Sequence, residues 1–197
     1  MESISLQWPL IDRTKPPKRR NSRDPPPLLY FDIGFYPFDV SGQNLRVKDQ
    51  NLPVPGQVWR MMRPNEHNMP ASSHCDIYKM TITCGALCPW PVVVKNSKGI
   101  SIADIFHKIY ETYRVPMTHE ERVLMKKSIR SQPFVDAFTK RCQDSANAGE
   151  GGITMNYHIQ KGPLRIDMLY GKRIFNGLKQ TGDNEWEMLI HSQWWES

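Results

Sequence analysis

The chain has no long apolar run and few cysteines, and both shortages restrict the kind of protein it can be. No stretch approaches the roughly 18 consecutive apolar residues of a membrane-spanning helix, and no basic cluster followed by an apolar run marks a secretory signal. The cysteines Cys75, Cys84, Cys88 and Cys142 could form two disulfides, but a chain with its own core in a reducing compartment does not need them. We therefore expect an intracellular protein, cytoplasmic or nuclear and not secreted, with free thiols and no membrane contact.

Length and proline content predict one domain with tails. A chain of 197 residues holds one domain with a complete core but is short for two. The 16 prolines cluster early, which suggests that part of the chain lies outside the fold. We expect residues 1–27 to be a disordered, basic, proline-rich tail, residues 28–193 to be a single domain that begins with an extended strap, and residues 194–197 to be a carboxyl-terminal tail.

The basic excess is concentrated in the first of these segments. Residues 1–27 hold six Lys or Arg against three acids, which is +3 of the chain's net charge of +6. A compact basic run of this kind is typical of nuclear-import addresses and of phosphate-binding arms. The residues of the run are Lys15, Lys18, Arg19, Arg20 and Arg23. A solvated tail without a specific ligand is the alternative, because Pro and Arg together cannot build a core.

Residues 25–70 mix apolar side chains with prolines at a frequency that excludes long helices. Their aromatic and aliphatic side chains are too many to leave in water, so we expect this strap to wrap the domain as coil while contributing to the core. The residues concerned include Leu28, Leu29, Tyr30, Phe31, Phe35, Tyr36 and Phe38.

The next segment combines strands with a well-marked helix. Period-two alternation predicts a half-buried strand over residues 78–84, and the β-branched residues 92–94 predict another. Ser101 as N-cap with Asp104 at N3 predicts a helix start, and Pro116 predicts its end. Between them one apolar stripe follows the helical period: Ile102, Ile105, Phe106, Ile109, Tyr110 and Tyr113. Capping and packing account for these residues, so the stretch predicts a scaffold rather than a reaction centre.

The remainder predicts two further helices and then strands. Thr118 and Glu121 form a second capping box for a helix to about Ser131. Pro133 suits the first turn of a third helix, whose predicted buried face is Phe134, Val135, Phe138 and Cys142. Alternation then predicts strands over residues 153–159 and 164–170, a tight turn at residues 171–172, and strands over residues 173–178 and 185–191. The order predicts an α+β fold: an antiparallel β-sheet with about three helices inserted between early and late strands and packed on one face.

Five short stretches, in this order, resemble a known family. They are "PPLLYFD", "CPWPVVVKNSKGISIADIFHKIYETYRVPMTHEE", "AFTKRC", "LRIDMLYGKRIFNGLK" and "EWEMLI". Within them stand the patterns W-P-x-x-V, R-x-D-x-L and F-x-G-L, with a helix between the first and the second. From about Pro27 to His191 the chain is similar to a domain-of-unknown-function family of mushroom-forming, basidiomycete fungi. The resemblance implies an α+β fold and implies no activity, cofactor or catalytic residue.

Two clusters invite a chemical interpretation, and the pattern disfavours both. His74, Cys75 and Asp76 are adjacent, but neighbours on a strand point to opposite faces, so a nucleophile and its base would not meet. Cys84 and Cys88 are spaced as C-x3-C without a clearly paired second half, which does not match structural zinc sites. We expect no catalytic residue, no metal and no cofactor.

Two other sets of residues could bind something. Arg165 and Asp167 share one face of the predicted strand 164–170, with Arg173 on its hairpin partner. This face is either a solvated set of ion pairs or, in a cleft, a site for an anionic or polar ligand. Trp194 and Trp195 follow the last strand, where they either dock on their own domain or anchor a partner.

Three functional hypotheses remain. The first is a non-catalytic interaction or scaffold domain that binds an unidentified protein partner, and it is favoured because no nucleophile elbow, metalloprotease helix, P-loop or dinucleotide fingerprint is recognisable. The second is an enzyme of unfamiliar type that uses Arg165, Asp167 and Arg173, with His107 or His191. The third is a nucleic-acid-associated protein recruited through the basic tail.

Overall fold

The computed structural model describes residues 29–38, 44–48, 59–72, 76–85, 88–126, 130–147 and 154–191. In chain order its elements are β1 (Leu29–Phe31), β2 (Leu45–Lys48), β3 (Trp59–Met61), α1 (Pro64–His67), β4 (Lys79–Thr83), β5 (Val92–Lys95), α2 (Ile102–Tyr113), α3 (His119–Lys126), α4 (Ser131–Asn147), α5 (Met155–Lys161), a 3-10 helix (Arg165–Leu169), β6 (Ile174–Gly182) and β7 (Glu185–His191). This composition confirms the predicted α+β class, with helices inserted between early and late strands. Across the described ranges no helix is both long enough and apolar enough to cross a membrane.

The strands form two sheets. β1, β2 and β3 make an antiparallel sheet in that order, and the strand order of the second sheet is β5-β4-β7-β6. The second sheet is antiparallel apart from its central contact, where β4 and β7 run parallel with Ile82 beside Trp186. The direction of β7 is fixed by its hairpin with β6, and β7 rather than β6 occupies the place beside β4.

The predicted strap is more regular than coil, because its described residues include the three strands of the first sheet. Its apolar content is buried as expected at Leu29, Phe31, Ile33, Leu45 and Val47. The ring centroid of Phe31 lies 5.1 Å from that of Phe106 on α2, which lies 5.3 Å from that of Phe175 on β6. These contacts join the first sheet, α2 and the second sheet in one core.

Helix α2 begins as its sequence predicts. The Ser101 hydroxyl accepts a hydrogen bond from the Asp104 backbone N–H at 3.2 Å, and the Asp104 carboxylate accepts one from the Ser101 backbone N–H at 2.8 Å. The Asn96 side-chain amide also donates to this carboxylate, at 2.9 Å, and so ties the preceding turn to the helix. The predicted stripe is buried at Ile102, Ile105, Phe106, Ile109 and Tyr113 and partly buried at Tyr110. The predicted cap and the predicted apolar face of this helix are confirmed.

The second capping box is also present, whereas the buried face of α4 differs from the prediction. The Thr118 backbone N–H donates to the Glu121 carboxylate at 2.7 Å, and the Glu121 backbone N–H donates to the Thr118 hydroxyl at 3.2 Å. On α4 the buried residues are Arg141, Cys142 and Ser145, while Val135 is 48% exposed. The prediction for Val135 is wrong because α4 buries a charged side chain near its end instead of continuing an apolar stripe.

Two predicted strands are helical. Residues 155–161 form α5 and residues 165–169 form the 3-10 helix, so the strand predictions for 153–159 and 164–170 are wrong. Tyr157 and Ile159, which a strand would bury together, are 41% and 43% exposed, whereas His158 between them is buried. Apolar alternation over so few residues does not separate strand from helix. The predicted turn exists, with positive φ angles at Tyr170 and Gly171, but it leads from a helix into β6.

Candidate functional site

The residues predicted to share a sheet face lie in three separate clusters of contacts. Arg165 and Asp167 belong to the 3-10 helix, so no strand places them side by side on a face. Arg173 precedes β6 and has partners of its own. The shared face that we predicted is therefore wrong, and the geometry of each residue has to be considered separately.

Asp167 forms a buried ion pair with Arg141 of α4. The Arg141 Nε and Nη2 atoms donate to the two carboxylate oxygens of Asp167 at 2.8 and 3.0 Å, and the two side chains are 4% and 1% exposed. The same carboxylate accepts a hydrogen bond from the Leu164 backbone N–H at 2.9 Å, and Arg141 donates to the Gly162 carbonyl at 3.3 Å. A two-point contact of this kind fixes α4 against the 3-10 helix.

Arg165 of the same 3-10 helix packs against Trp90. Its guanidinium carbon is 4.7 Å from the centre of the indole, and its Nη2 atom is 3.5 Å from the Glu121 carboxylate. The indole N–H of Trp90 donates to the same carboxylate oxygen at 2.9 Å. Arg165 thus joins the start of α3 to the segment before β5 through a cation–π contact and an ion pair.

Arg173 connects the first sheet to α4. Its Nε atom donates to the Asp32 carboxylate at 3.0 Å, and its Nη2 atom donates to Asp144. The other oxygen of Asp32 accepts the Gly34 backbone N–H at 2.8 Å. Burial raises the pKa of Asp32, although Arg173 beside it acts in the opposite direction. This group therefore fixes the loop that follows β1.

Each of the three predicted residues is matched by a partner inside the chain, as buried or half-buried charges require. Their role in binding a ligand stays a prediction. Of the two histidines considered with them, His191 ends β7 opposite Ile174, and His107 lies on α2, where its Nε2 atom is 3.0 Å from the Glu111 carboxylate.

The cysteines of the C-x3-C pair are buried beside Tyr113. Burial raises the pKa of Cys84 to about 11 and that of Cys88 to about 12, so both are protonated thiols at neutral pH. Cys84, Cys88 and Cys142 are free. The part of the chain that the structure describes holds no group of three or more His, Cys, Asp or Glu placed to bind a metal ion.

Several predicted residues lie outside the described residues. They are the basic run Lys15, Lys18, Arg19, Arg20 and Arg23, the tryptophans Trp194 and Trp195, and His74 and Cys75. Nuclear import, phosphate binding and partner anchoring therefore stay predictions.

A surface that the sequence analysis did not single out gathers five rings. We call it the aromatic patch, and it consists of Tyr36, Phe38, His67, His107 and Tyr110. The Tyr36 ring centre lies 5.4 Å from that of Tyr110, 5.9 Å from that of His107 and 6.0 Å from that of Phe38, with interplanar angles of 75°, 85° and 83°. Phe38 also contacts His67, at 4.7 Å. Edge-to-face pairs at these distances are the favoured arrangement of aromatic rings.

Two side chains, Asn44 and Arg114, hold the patch in place. The side-chain amide of Asn44 donates to the carbonyls of Phe35 and Tyr36 at 2.7 and 3.1 Å, and its oxygen accepts the Asp32 N–H at 3.1 Å. Arg114, the C-cap residue after α2, has its guanidinium carbon 5.4 Å from the centre of the Tyr110 ring and donates to the Gly34 carbonyl at 3.4 Å. The loop that carries Tyr36 is therefore fixed to the residue before β2 and to the residue that caps the end of α2.

The patch remains open to solvent at its centre. Tyr36 is 39% exposed, and the side chain of His107 is 45% exposed. Glu111 lies 3.0 Å from His107, and a hydrogen bond from Lys108 lowers the pKa of Glu111, so it is ionised at neutral pH. Burial lowers the pKa of His67, which is therefore neutral at pH 7. Such a surface can stack on apolar groups and exchange hydrogen bonds, which are the interactions of a binding site.

Two signals in the sequence indicated this surface. His107 and Tyr110 are three residues apart on α2, and Tyr36 and Phe38 flank Pro37 in the strap. Hydrophobicity assigned both strap residues to the core; Phe38 is partly buried against the core, whereas Tyr36 is 39% exposed.

A family model described as a family of unknown function, DUF6699, matches residues 29–185. No curated protein and no solved structure matches the chain.

Proposed function

The chain belongs to the DUF6699 family, a family of unknown function, and from its own geometry we propose that it is a non-catalytic interaction domain that binds a protein partner through the aromatic patch. The observation that carries the proposal is the position of Tyr36, which is 39% exposed while its ring contacts three other rings.

The physical reason is that a rigid, half-exposed aromatic side chain binds at low entropic cost. Binding usually orders flexible side chains, at about 0.5–1.5 kcal/mol each. Here Asn44 and Arg114 already hold the loop and the Tyr110 ring, so little order remains to be imposed. Tyr is also among the residue types that dominate binding energy at protein interfaces.

Two alternative functions stand beside this one. An enzyme that uses Arg165, Asp167 and Arg173 would need its substrate to displace existing ion pairs, at least at the buried Asp167, where removal of a partner is costly. We therefore place it second. A nucleic-acid-associated protein would use the basic tail, and Trp194 or Trp195 could add a partner anchor. Intracellular location and a fungal origin of the family belong to the same proposal: the location is an expectation from the sequence, and the fungal origin is what the resemblance of the motifs implies.

The experiment compares two tyrosines of matched exposure. Tyr36 in the patch is 39% exposed and Tyr157 on α5 is 41% exposed. Tagged full-length wild type, Tyr36→Ala and Tyr157→Ala are used for quantitative affinity capture from nuclease-treated extract of the source organism, after circular dichroism shows that all three are folded. We expect a protein retained by the wild type and by Tyr157→Ala, and lost with Tyr36→Ala. Equal retention by all three would refute the use of the patch.

A further inference from the structure

We propose that the partner of the aromatic patch presents a proline-rich segment in the polyproline II conformation. The inference rests on the proposed function, because it names the chemistry of the partner at that same surface. Three features of the described residues support it: the angles between the rings, an available hydroxyl donor, and charges that are already matched.

The angles between the rings suit proline. Tyr36 meets three other rings at interplanar angles of 75° to 85°, so at each junction the faces of two rings form a corner close to a right angle. A pyrrolidine ring placed in such a corner contacts both faces, and proline loses no side-chain rotamers when it is buried. Aromatic-lined grooves recognise polyproline II segments in this way, and these segments are already extended before they bind.

The Tyr36 hydroxyl can donate a hydrogen bond to such a segment. A polyproline II backbone makes no internal hydrogen bonds, and proline has a carbonyl acceptor but no backbone N–H. Its binding site therefore has to supply donors. Tyr36 is 39% exposed, and its hydroxyl makes no hydrogen bond with another residue that the structure describes. An apolar corner with a donor at its rim matches a proline ring followed by a carbonyl.

The charged groups beside the rings do not favour a charged ligand. Glu111 is paired with Lys108 at 2.9 Å, and Glu66 is paired with Arg60 at 2.6 Å. Arg114 already donates to a backbone carbonyl and lies beside an aromatic ring. Because acids and bases are both present and engaged, this rim has little net potential to attract an acidic or a basic segment. An uncharged segment needs no such attraction.

The test is a titration of the full-length chain with L-decaproline, followed by NMR. D-decaproline is the matched control, because it has the same composition and the same apolar area but the opposite helical hand. We expect the L-peptide to bind at least tenfold more tightly than the D-peptide. Tyr36→Ala should weaken binding of the L-peptide at least tenfold, and Tyr157→Ala, at 41% exposure, should leave it unchanged.

Tyr36→Phe tests the hydroxyl separately from the ring. It removes the donor and keeps the ring that packs against its neighbours, so the fold of the loop is retained even if Tyr36→Ala disturbs it. Loss of one hydrogen bond lowers affinity about threefold to tenfold, and we expect L-decaproline to bind Tyr36→Phe more weakly by this factor.

Several results would overturn the inference. Equal affinity for the L- and D-peptides would mean that the polyproline II conformation is not recognised, and equal affinity of wild type and Tyr36→Ala would place the peptide elsewhere. Absence of binding by L-decaproline at about 1 mM would also refute it. Tighter binding of deca-glutamate or deca-lysine at the patch would assign a charged partner instead. A dimer of the wild type in sedimentation, lost in Tyr36→Ala, would assign the patch to a second copy.

Failure of the inference is distinguishable from failure of the proposed function. L-decaproline should release the captured partner from the wild type, and D-decaproline should not. If Tyr36→Ala loses the captured partner while L-decaproline neither binds the patch nor releases the partner, the inference fails and the proposed function stands. If L-decaproline binds at Tyr36 while Tyr36→Ala keeps the partner, the partner binds elsewhere and the proposed function fails.

Discussion

The buried ion pair between Arg141 and Asp167 offers the sharpest test of what holds this fold together. Replacing Asp167 by Asn removes one negative charge while keeping the shape of the side chain and an oxygen that can accept the Leu164 N–H. The Arg141 guanidinium, 4% exposed, then keeps its charge without a counter-charge. Breaking a buried pair in this way costs about 3–5 kcal/mol, which corresponds to a fall in Tm of roughly 10 °C for a domain of this size.

The measurement is urea unfolding followed by circular dichroism, with two further variants. Arg141→Met combined with Asp167→Asn removes both charges, so we expect it to recover at least half of the lost stability, because neither charge is then buried alone. Glu111→Gln is the control, since Glu111 pairs with Lys108 at the surface, where both side chains are 46% exposed, and should cost less than about 1 kcal/mol. The reasoning is refuted if Asp167→Asn lowers the free energy of unfolding by no more than Glu111→Gln does. It is also refuted if the double variant has a lower free energy of unfolding than Asp167→Asn alone.

Three further predictions follow from the core, the helix cap and the thiols. Phe106→Ala should cost about 3–5 kcal/mol in urea unfolding, because Phe106 is fully buried and joins the two sheets, and a loss below about 1 kcal/mol would contradict this. Burial raises the pKa of Asp104, but hydrogen bonds from the Ser101 backbone and other donors outweigh it and lower the pKa overall. Asp104 therefore contributes its full stabilisation at pH values above its ordinary pKa of about 4, and this contribution is lost as the pH falls through the lower pKa of the folded state. Asp104→Asn should therefore flatten the dependence of the free energy of unfolding on pH between about pH 5 and pH 2. Cys84 and Cys88, with pKa values near 11 and 12, should react with Ellman's reagent at pH 8 only as fast as the protein opens, and immediate reaction of both in native buffer would contradict their burial.

The features that could be predicted from the sequence are those determined by residues only a few positions apart in the chain. The capping box of α2 joins Ser101 to Asp104, and that of α3 joins Thr118 to Glu121, so each is complete within four residues. The same holds for the apolar stripe of α2, which repeats with the helical period. Backbone propensity and nearest-neighbour hydrogen bonds decide such features before any distant contact forms.

The candidate site was not predictable in this way, because its parts come from separated elements. Tyr36 and Phe38 come from the loop after β1, His67 from α1, and His107 and Tyr110 from α2. Hydrophobicity indicated that Tyr36 is buried, but its exposure depends on where the loop lies, and that depends on contacts such as the one between Arg114 and the Gly34 carbonyl, 80 residues apart. The strand prediction for residues 153–159 is wrong for a related reason: short apolar alternation leaves helix and strand undecided, and the packing of α5 against α4 decides.

The sequence by itself determined the class of the fold, the start of α2 and α3 and the buried face of α2, since these depend on residues a few positions apart. Only the tertiary structure decided the partner of each charge: Arg141 meets Asp167, 26 residues further on, and Arg173 meets Asp32, 141 residues earlier. The physical reason is that an ionised side chain accepts any counter-charge within reach, and which one lies within reach depends on how the whole chain packs.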